Sequence, residues 1–165
     1  MNLSDSIDSD DYFFAVGISH LLTPDLINDC YYIVDWMTKN IKYTQGGASV
    51  EKKIVVFISS DLDYYSFNHT ENVVFIDRRC RLNEVLSCLL ANNPRYGYRV
   101  KYELSSREKE VLVCLQEGLS VSEISQQLQI TIKTLYTHQR NLIKKLQVGN
   151  RISLYKNILM KALKV

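Results

Sequence analysis

Nothing in this 165-residue chain approaches the run of about 18 apolar residues needed to cross a bilayer. No C-x-x-C pair is present, and the four cysteines, Cys30, Cys80, Cys88 and Cys114, lie far apart with no histidine at ligand spacing. That pattern disfavours a disulfide framework, a zinc site and a catalytic thiol, and leaves reduced, mostly buried small hydrophobes. The histidines are as scattered: His20 ends an apolar helical stretch, His69 sits in a polar loop, and His138 lies on the inner edge of a later helix. The sequence contains no G-x-x-x-x-G-K, G-x-S-x-G or H-E-x-x-H, so phosphate-loop, nucleophile-elbow and zinc-protease chemistry find no support. No enzyme class, cofactor or metal is implied by these residues. Repeats and low-complexity tracts are missing too. The N-terminus, MNLSDSIDSDD, is acidic rather than basic and apolar, unlike a signal or transit peptide, so the expected location is the cytoplasm, away from membranes.

What is present is an uneven distribution of charge over a composition that is 46% hydrophobic, enough to bury a core. Residues 1–94 hold 7 Lys and Arg against 13 Asp and Glu, a net of −6, whereas residues 95–165 hold 13 against 5, a net of +8. The basic half is the part suited to a nucleic-acid partner.

Within it, Ser105 with Glu108 and Ser120 with Glu123 are S-x-x-E capping boxes, which mark two helix starts. Gly118 follows the apolar set Val111, Leu112 and Leu115, where a left-handed C-terminal cap is expected. Ile124 and Leu128 give the second helix an inner face, with the small Ser125 between them. After the short turn Gln129–Ile130, Thr131 caps a third helix. At ~100° per residue, Lys133, Tyr136, Thr137, Arg140 and Lys144 share about a third of its circumference, opposite Leu135, His138, Leu142 and Leu146. Two lysines, an arginine, a phenol and a hydroxyl without an acid suit phosphates and base edges. Two tightly joined helices, the second basic, predict a helix-turn-helix.

The segments LSSREKEVL, EGLSVSEI, QLQIT, KTLYTHQRNLIKKL and VGNR, within residues 104–151, resemble the LuxR/FixJ family of bacterial regulators. The resemblance implies double-stranded DNA as partner, with Lys133, Thr134, Tyr136, Thr137, Arg140, Lys144 and Lys145 at the DNA. Three positions depart from the family's preferences. Ser125 stands for Ala and Gln129 for Gly, which touches packing and the turn; Tyr136 stands where Lys is frequent, which touches base readout.

The first half alternates helical spacing (Tyr12–Leu22, Leu82–Leu90) with short β-branched and aromatic runs at Cys30–Val34, Lys53–Ile58 and Val73–Ile76. This predicts a parallel sheet covered by helices, and the glycines of residues 43–49 predict a loop. SDDYFFAVGISHLL, YYIVDWM, KKIVVFISS and VVFIDRRCRLNEVL resemble a shortened, degenerate receiver domain. That likeness makes Asp10, Asp11 and Asp35 a vestigial phosphorylation site, with Asp35 as phosphoacceptor and Arg78 in place of the expected lysine. An aspartyl phosphate needs a carboxylate-held magnesium ion and a lysine. Only 24 residues separate Asp11 from Asp35, so a strand and helix are missing or compressed. The pattern is similar to atypical enterobacterial regulators of capsule, fimbriae and acid resistance.

The expected fold is an α/β receiver-like domain over residues 1–91, a basic linker over 92–103 carrying Pro94 and Gly97, and an all-α four-helix DNA-binding domain over 104–165. In the last helix Ile152, Tyr155, Leu159 and Leu163 recur at helical spacing, widened by Leu154 and Ile158. The family resemblance assigns Ile152, Tyr155 and Leu159 to a dimer contact; closure of the small domain's own core is the equally weighted alternative. The function these readings imply is phosphorylation-independent transcription regulation, as a homodimer or with another LuxR-type regulator, with RNA polymerase a further partner. A protein that pairs with such a regulator without binding DNA is the alternative. A sigma-factor fragment is disfavoured by the strand-like YYIVDW and KIVVFI.

Overall fold

The computed structural model describes residues 5–38, 52–67, 72–91 and 94–162, with the side chains of Pro94 and of residues 159–162 left aside. The glycine loop at 43–49, His69 and Leu163 lie outside the described residues, as does the Leu159 side chain. The chain divides into two compact units.

The first unit holds the described residues up to Ser60 and those from 72 to Arg99. Its sheet runs β1 (Ile7–Asp8), β2 (Tyr31–Asp35), β3 (Lys53–Ile58) and β4 (Val73–Asp77), all parallel and neighbouring in chain order. Alternate residues of a strand face opposite sides. Tyr31 and Ile33, Val55 and Phe57, and Val74 and Ile76 therefore pack on one face with Ile18 and Leu22 of the α1 region (α1, Tyr12–Leu21), Ile27 of α2 (Pro24–Cys30), and Val85, Cys88 and Leu89 of α4 (Leu82–Leu89). Val34, Ile54, Val56 and Ile58, between them, are buried as well, which explains why the strands read as unbroken apolar runs. Helix α2 and the two-residue β1 were not anticipated. The signal for α2 was Thr23 before Pro24, a side-chain cap followed by the proline favoured at the first helical position. The expected compression is present: only α1 and α2 lie between β1 and β2.

The second unit holds the chain from Val100 and also Asp61–Phe67, which sequence reasoning placed in the first domain. Helix α3 (Asp61–Ser66) thus follows β3 in the chain but packs with α5 (Ser106–Gln116), α6 (Val121–Gln127), α7 (Ile132–Lys145) and α8 (Arg151–Ala162). Leu62 belongs to the same core as Leu112, Leu115, Ile124, Leu135, Leu142, Leu154 and Ile158. The attachment is polar too. The Asp61 carboxylate accepts from the Lys101 and Tyr102 amides at 3.0 and 3.3 Å, and the Tyr65 hydroxyl accepts from the Leu104 amide at 3.2 Å. No helix among the described residues is long and apolar enough to cross a membrane.

Candidate nucleic-acid interface

Both capping boxes form. The Ser105 and Ser120 amides donate to Glu108 and Glu123 at 2.8 and 2.7 Å, and the Glu108 and Glu123 amides donate back to the serine hydroxyls at 3.3 Å each. Helix α5 ends as expected at Gly118, with φ +76° and the Leu119 amide reaching the Cys114 carbonyl at 3.1 Å. The α6–α7 turn is closed by two of the three residues that depart from the family pattern, Ser125 and Gln129. Gln129 takes the left-handed backbone at φ +52°, which leaves the Ile130 amide on the Ser125 carbonyl at 3.0 Å, while the Ser125 hydroxyl donates to the Ile130 carbonyl. An alanine at 125 would lack that second bond. Thr131 then caps α7 by accepting from the Thr134 amide at 3.1 Å.

On α7, Leu135 and Leu142 are fully buried and Leu146 nearly so, while Lys133, Thr134, Tyr136, Thr137, Arg140 and Lys144 are exposed. Their backbone is held by a cap at one end and a packed apolar side, so the face is presented by a rigid element. Thr137 gives its hydroxyl proton to the Lys133 carbonyl at 3.1 Å and keeps its lone pairs outward. His138 is half-buried, at the edge as expected, but Gln139 is buried where periodicity did not single it out. Its amide donates to the Tyr155 hydroxyl at 2.9 Å.

Lys145 stands apart from these exposed side chains. Its ammonium donates to the Glu103 carbonyl at 2.9 Å and to the buried Glu108 carboxylate at 2.7 Å, so it serves the domain's interior rather than the exposed face. Burial by itself would raise Glu108, but the Lys145 hydrogen bond and charge together with the Ser105 bonds hold it below its ordinary value. A residue not anticipated stands beside the face: the Arg151 guanidinium, at the start of α8, lies 5.2 Å from the centre of the Tyr136 ring. The stack adds a cation to the face at the position where the family's lysine is replaced.

The assigned dimer residues separate. Ile152 is exposed, whereas Tyr155 is half-buried against the domain's own core, and Leu154 and Ile158 are fully buried there. Own-core closure therefore claims the 154/158 stripe, because α8 seals α5 and α7.

In the first unit, Asp35 ends β2 and Asp11 caps α1, and Arg78 joins them: its Nη2 lies 2.7 Å from Asp11 and 3.1 Å from Asp35. Asp10 is exposed, with its amide on the Thr38 hydroxyl at 3.0 Å. Helix-start amides from Phe14, then the Arg78 hydrogen bond, lower Asp11 below the ordinary Asp range. Of the cysteines, Cys88 and Cys114 are buried, Cys80 is half-buried and Cys30 is exposed at the end of α2; all four are free thiols.

The pattern of bacterial regulatory proteins of the luxR family matches residues 102–158. The chain is 35% identical over 96 residues to the CsgBAC operon transcriptional regulatory protein of Escherichia coli, a match covering 53% of this chain and 44% of that protein. It thus spans less than half the length of that relative. It is 44% identical over 161 residues to the response regulator protein VraR of Staphylococcus saprophyticus, covering 83% of this chain and 75% of that protein. Among solved structures, RcsB from Salmonella enterica serovar Typhimurium, bound to a promoter, aligns with a TM-score of 0.50 over 94% of this chain and 96% of that one. At 18% identity this shows a shared fold alone. With the family's pattern on α5 to α8 and VraR matched along three quarters of its length, the chain belongs to the luxR family of bacterial regulatory proteins.

Proposed function

We propose that this chain is a sequence-specific DNA-binding transcription regulator that works without phosphorylation, as a homodimer or paired with another LuxR-type regulator. One observation carries the reading: the exposed side of α7 gathers Lys133, Tyr136, Thr137, Arg140 and Lys144 without an acid, opposite fully buried Leu135 and Leu142. A helix fixed from behind and cationic in front suits the major groove, with its middle residues at base edges and its flanks at phosphates. Arg140 lies in the middle and Lys144 one turn later.

These two roles predict losses of different kind. Arg140→Ala lowers affinity for the specific operator by about 1 to 3 kcal/mol and affects random DNA much less, as loss of a bidentate guanine contact requires. Lys144→Ala weakens binding to both DNAs and reduces the salt slope by about one phosphate's worth. Titrations on operator and random DNA at several salt concentrations test both. Equal weakening of the two DNAs by Arg140→Ala would make it an anchor and misplace the reading face.

Phosphorylation independence is supported by the surroundings of Asp35. Its side chain is 2% exposed, Oδ1 accepts from the Met37 amide at 3.1 Å, and Oδ2 accepts from Ser9 and Arg78 at 3.1 Å each. A phosphoryl donor needs an open carboxylate oxygen.

A further inference from the structure

A receiver-like acidic pocket implies a divalent cation, and the residues here do not fit one. Among the described residues no group of three or more His, Cys, Asp or Glu side chains could hold a metal ion. The carboxylates of Asp11 and Asp35 are already taken up. Asp11 accepts the Phe13 and Phe14 amides on Oδ1, at 3.0 and 3.1 Å, and Arg78 on Oδ2. Asp35 accepts Met37 on Oδ1, and Ser9 with Arg78 on Oδ2. The two oxygens that face each other share a single nitrogen, Arg78 Nη2. A magnesium ion demands near-octahedral oxygen ligands at about 2.0 to 2.1 Å, and at that place it would meet a guanidinium of like charge.

We infer that Arg78 is the resident cation of this pocket: its guanidinium stands in for a divalent ion, holding the end of β2 to the start of α1. Three features argue that the position is built rather than incidental. Arg78 is anchored in the backbone, its amide donating to the Ile58 carbonyl at 2.8 Å directly after β4. The guanidinium lies 5.4 Å from the centre of the Phe14 ring, which covers it. Its charge is also one that never leaves: burial works against it, but the Asp11 hydrogen bond and the charge of Asp35 more than offset this and raise it further above an already high value. A pocket closed in this way has one state, with no dependence on metal supply.

The inference deepens the phosphorylation-independent part of the reading above, and its test uses neither DNA nor phosphate, so the two fail separately. Thermal unfolding of the full chain is followed for wild type, Arg78→Lys and Arg78→Ala, in millimolar magnesium chloride and in sodium chloride of equal ionic strength. Wild type is expected to melt at the same temperature in both salts, as is Arg78→Lys, which keeps a charge. Arg78→Ala is expected to melt lower by about 5 °C or more in sodium chloride, and to regain part of that loss with magnesium as the freed carboxylates take up the ion. A wild type stabilised by magnesium beyond the matched salt would overturn the inference, since a metal would then share the pocket. So would an Arg78→Ala protein that melts with wild type, or one indifferent to magnesium.

Discussion

Glu108 shows how one carboxylate serves two purposes. As the third residue of α5 it closes a capping box with Ser105, and from a nearly buried position it holds the ammonium of Lys145 across the domain. A buried acid without its partner is costly, so Lys145→Ala should destabilise the second unit by about 1 to 3 kcal/mol, tempered by the partial exposure of the lysine. Because the folded Glu108 is held below its ordinary value of 4.5, its contribution is fully present above that value and is lost as the pH falls through the lowered one. Urea unfolding of wild type and Lys145→Ala at neutral pH, and again well below that value, should show a gap that closes in acid. On DNA the same variant should leave the salt slope of any folded protein unchanged, in contrast to Lys144→Ala. A slope reduced equally by both would place Lys145 on the phosphates. Periodicity puts Lys144 on the outer face, whereas the family resemblance places Lys144 and Lys145 alike at the DNA; the position of Glu108 is what gives Lys145 its partner.

At the scale of elements, α8 carries two overlapping apolar stripes, and the sequence leaves open which one points inward. The structure turns Leu154 and Ile158 into the core, uses the Tyr155 hydroxyl to accept from buried Gln139, and leaves Ile152 79% exposed. An exposed isoleucine is a candidate for a contact with a second copy; a tyrosine bonded within its own domain is a weaker one. If two copies read two half-sites, linkage multiplies their affinities. Ile152→Lys should then weaken binding to a full site far more than to a half-site, whereas Tyr155→Phe should lower the melting temperature and leave the ratio of the two affinities unchanged. Gel-shift titrations on both DNAs decide it, and an Ile152→Lys protein with equal losses on both would remove α8 from the dimer contact. The α6–α7 turn illustrates a different limit. Its place is legible from Thr131 and the preceding apolar spacing, but not its chemistry, because a serine at 125 reads as merely small until its hydroxyl is seen on the Ile130 carbonyl.

For the molecule as a whole, the consequential feature is α3. Six residues that follow a strand of the first unit supply part of the core of the second, with Leu62 3% exposed among α5 and α8 residues and Asp61 and Tyr65 securing the chain just before α5. Truncating a buried leucine costs about 2 to 5 kcal/mol. Leu62→Ala, although more than forty residues before the first capping box, should therefore lower the stability of the second unit, read as earlier loss of its amide resonances on warming. A substitution that destabilises only the sheet would show instead that α3 is a passenger of the first unit.

The sequence by itself determined whatever depends on neighbours along the chain. Capping boxes at Ser105 and Ser120, the left-handed Gly118, the amphipathic side of α7 and the β-branched runs of β2, β3 and β4 are all set by contacts within a few residues, and each is where local chemistry placed it. Tertiary structure decided the pairings between distant positions: Arg78 with Asp11 and Asp35, Lys145 with Glu108, Arg151 with Tyr136, and α3 with the second core. The reason is physical. A helix or strand signal is written in a period of 3.6 or 2 residues, whereas the partner of a charge or the destination of a short apolar helix depends on which surfaces folding brings within a few ångströms, and no spacing along the chain encodes that.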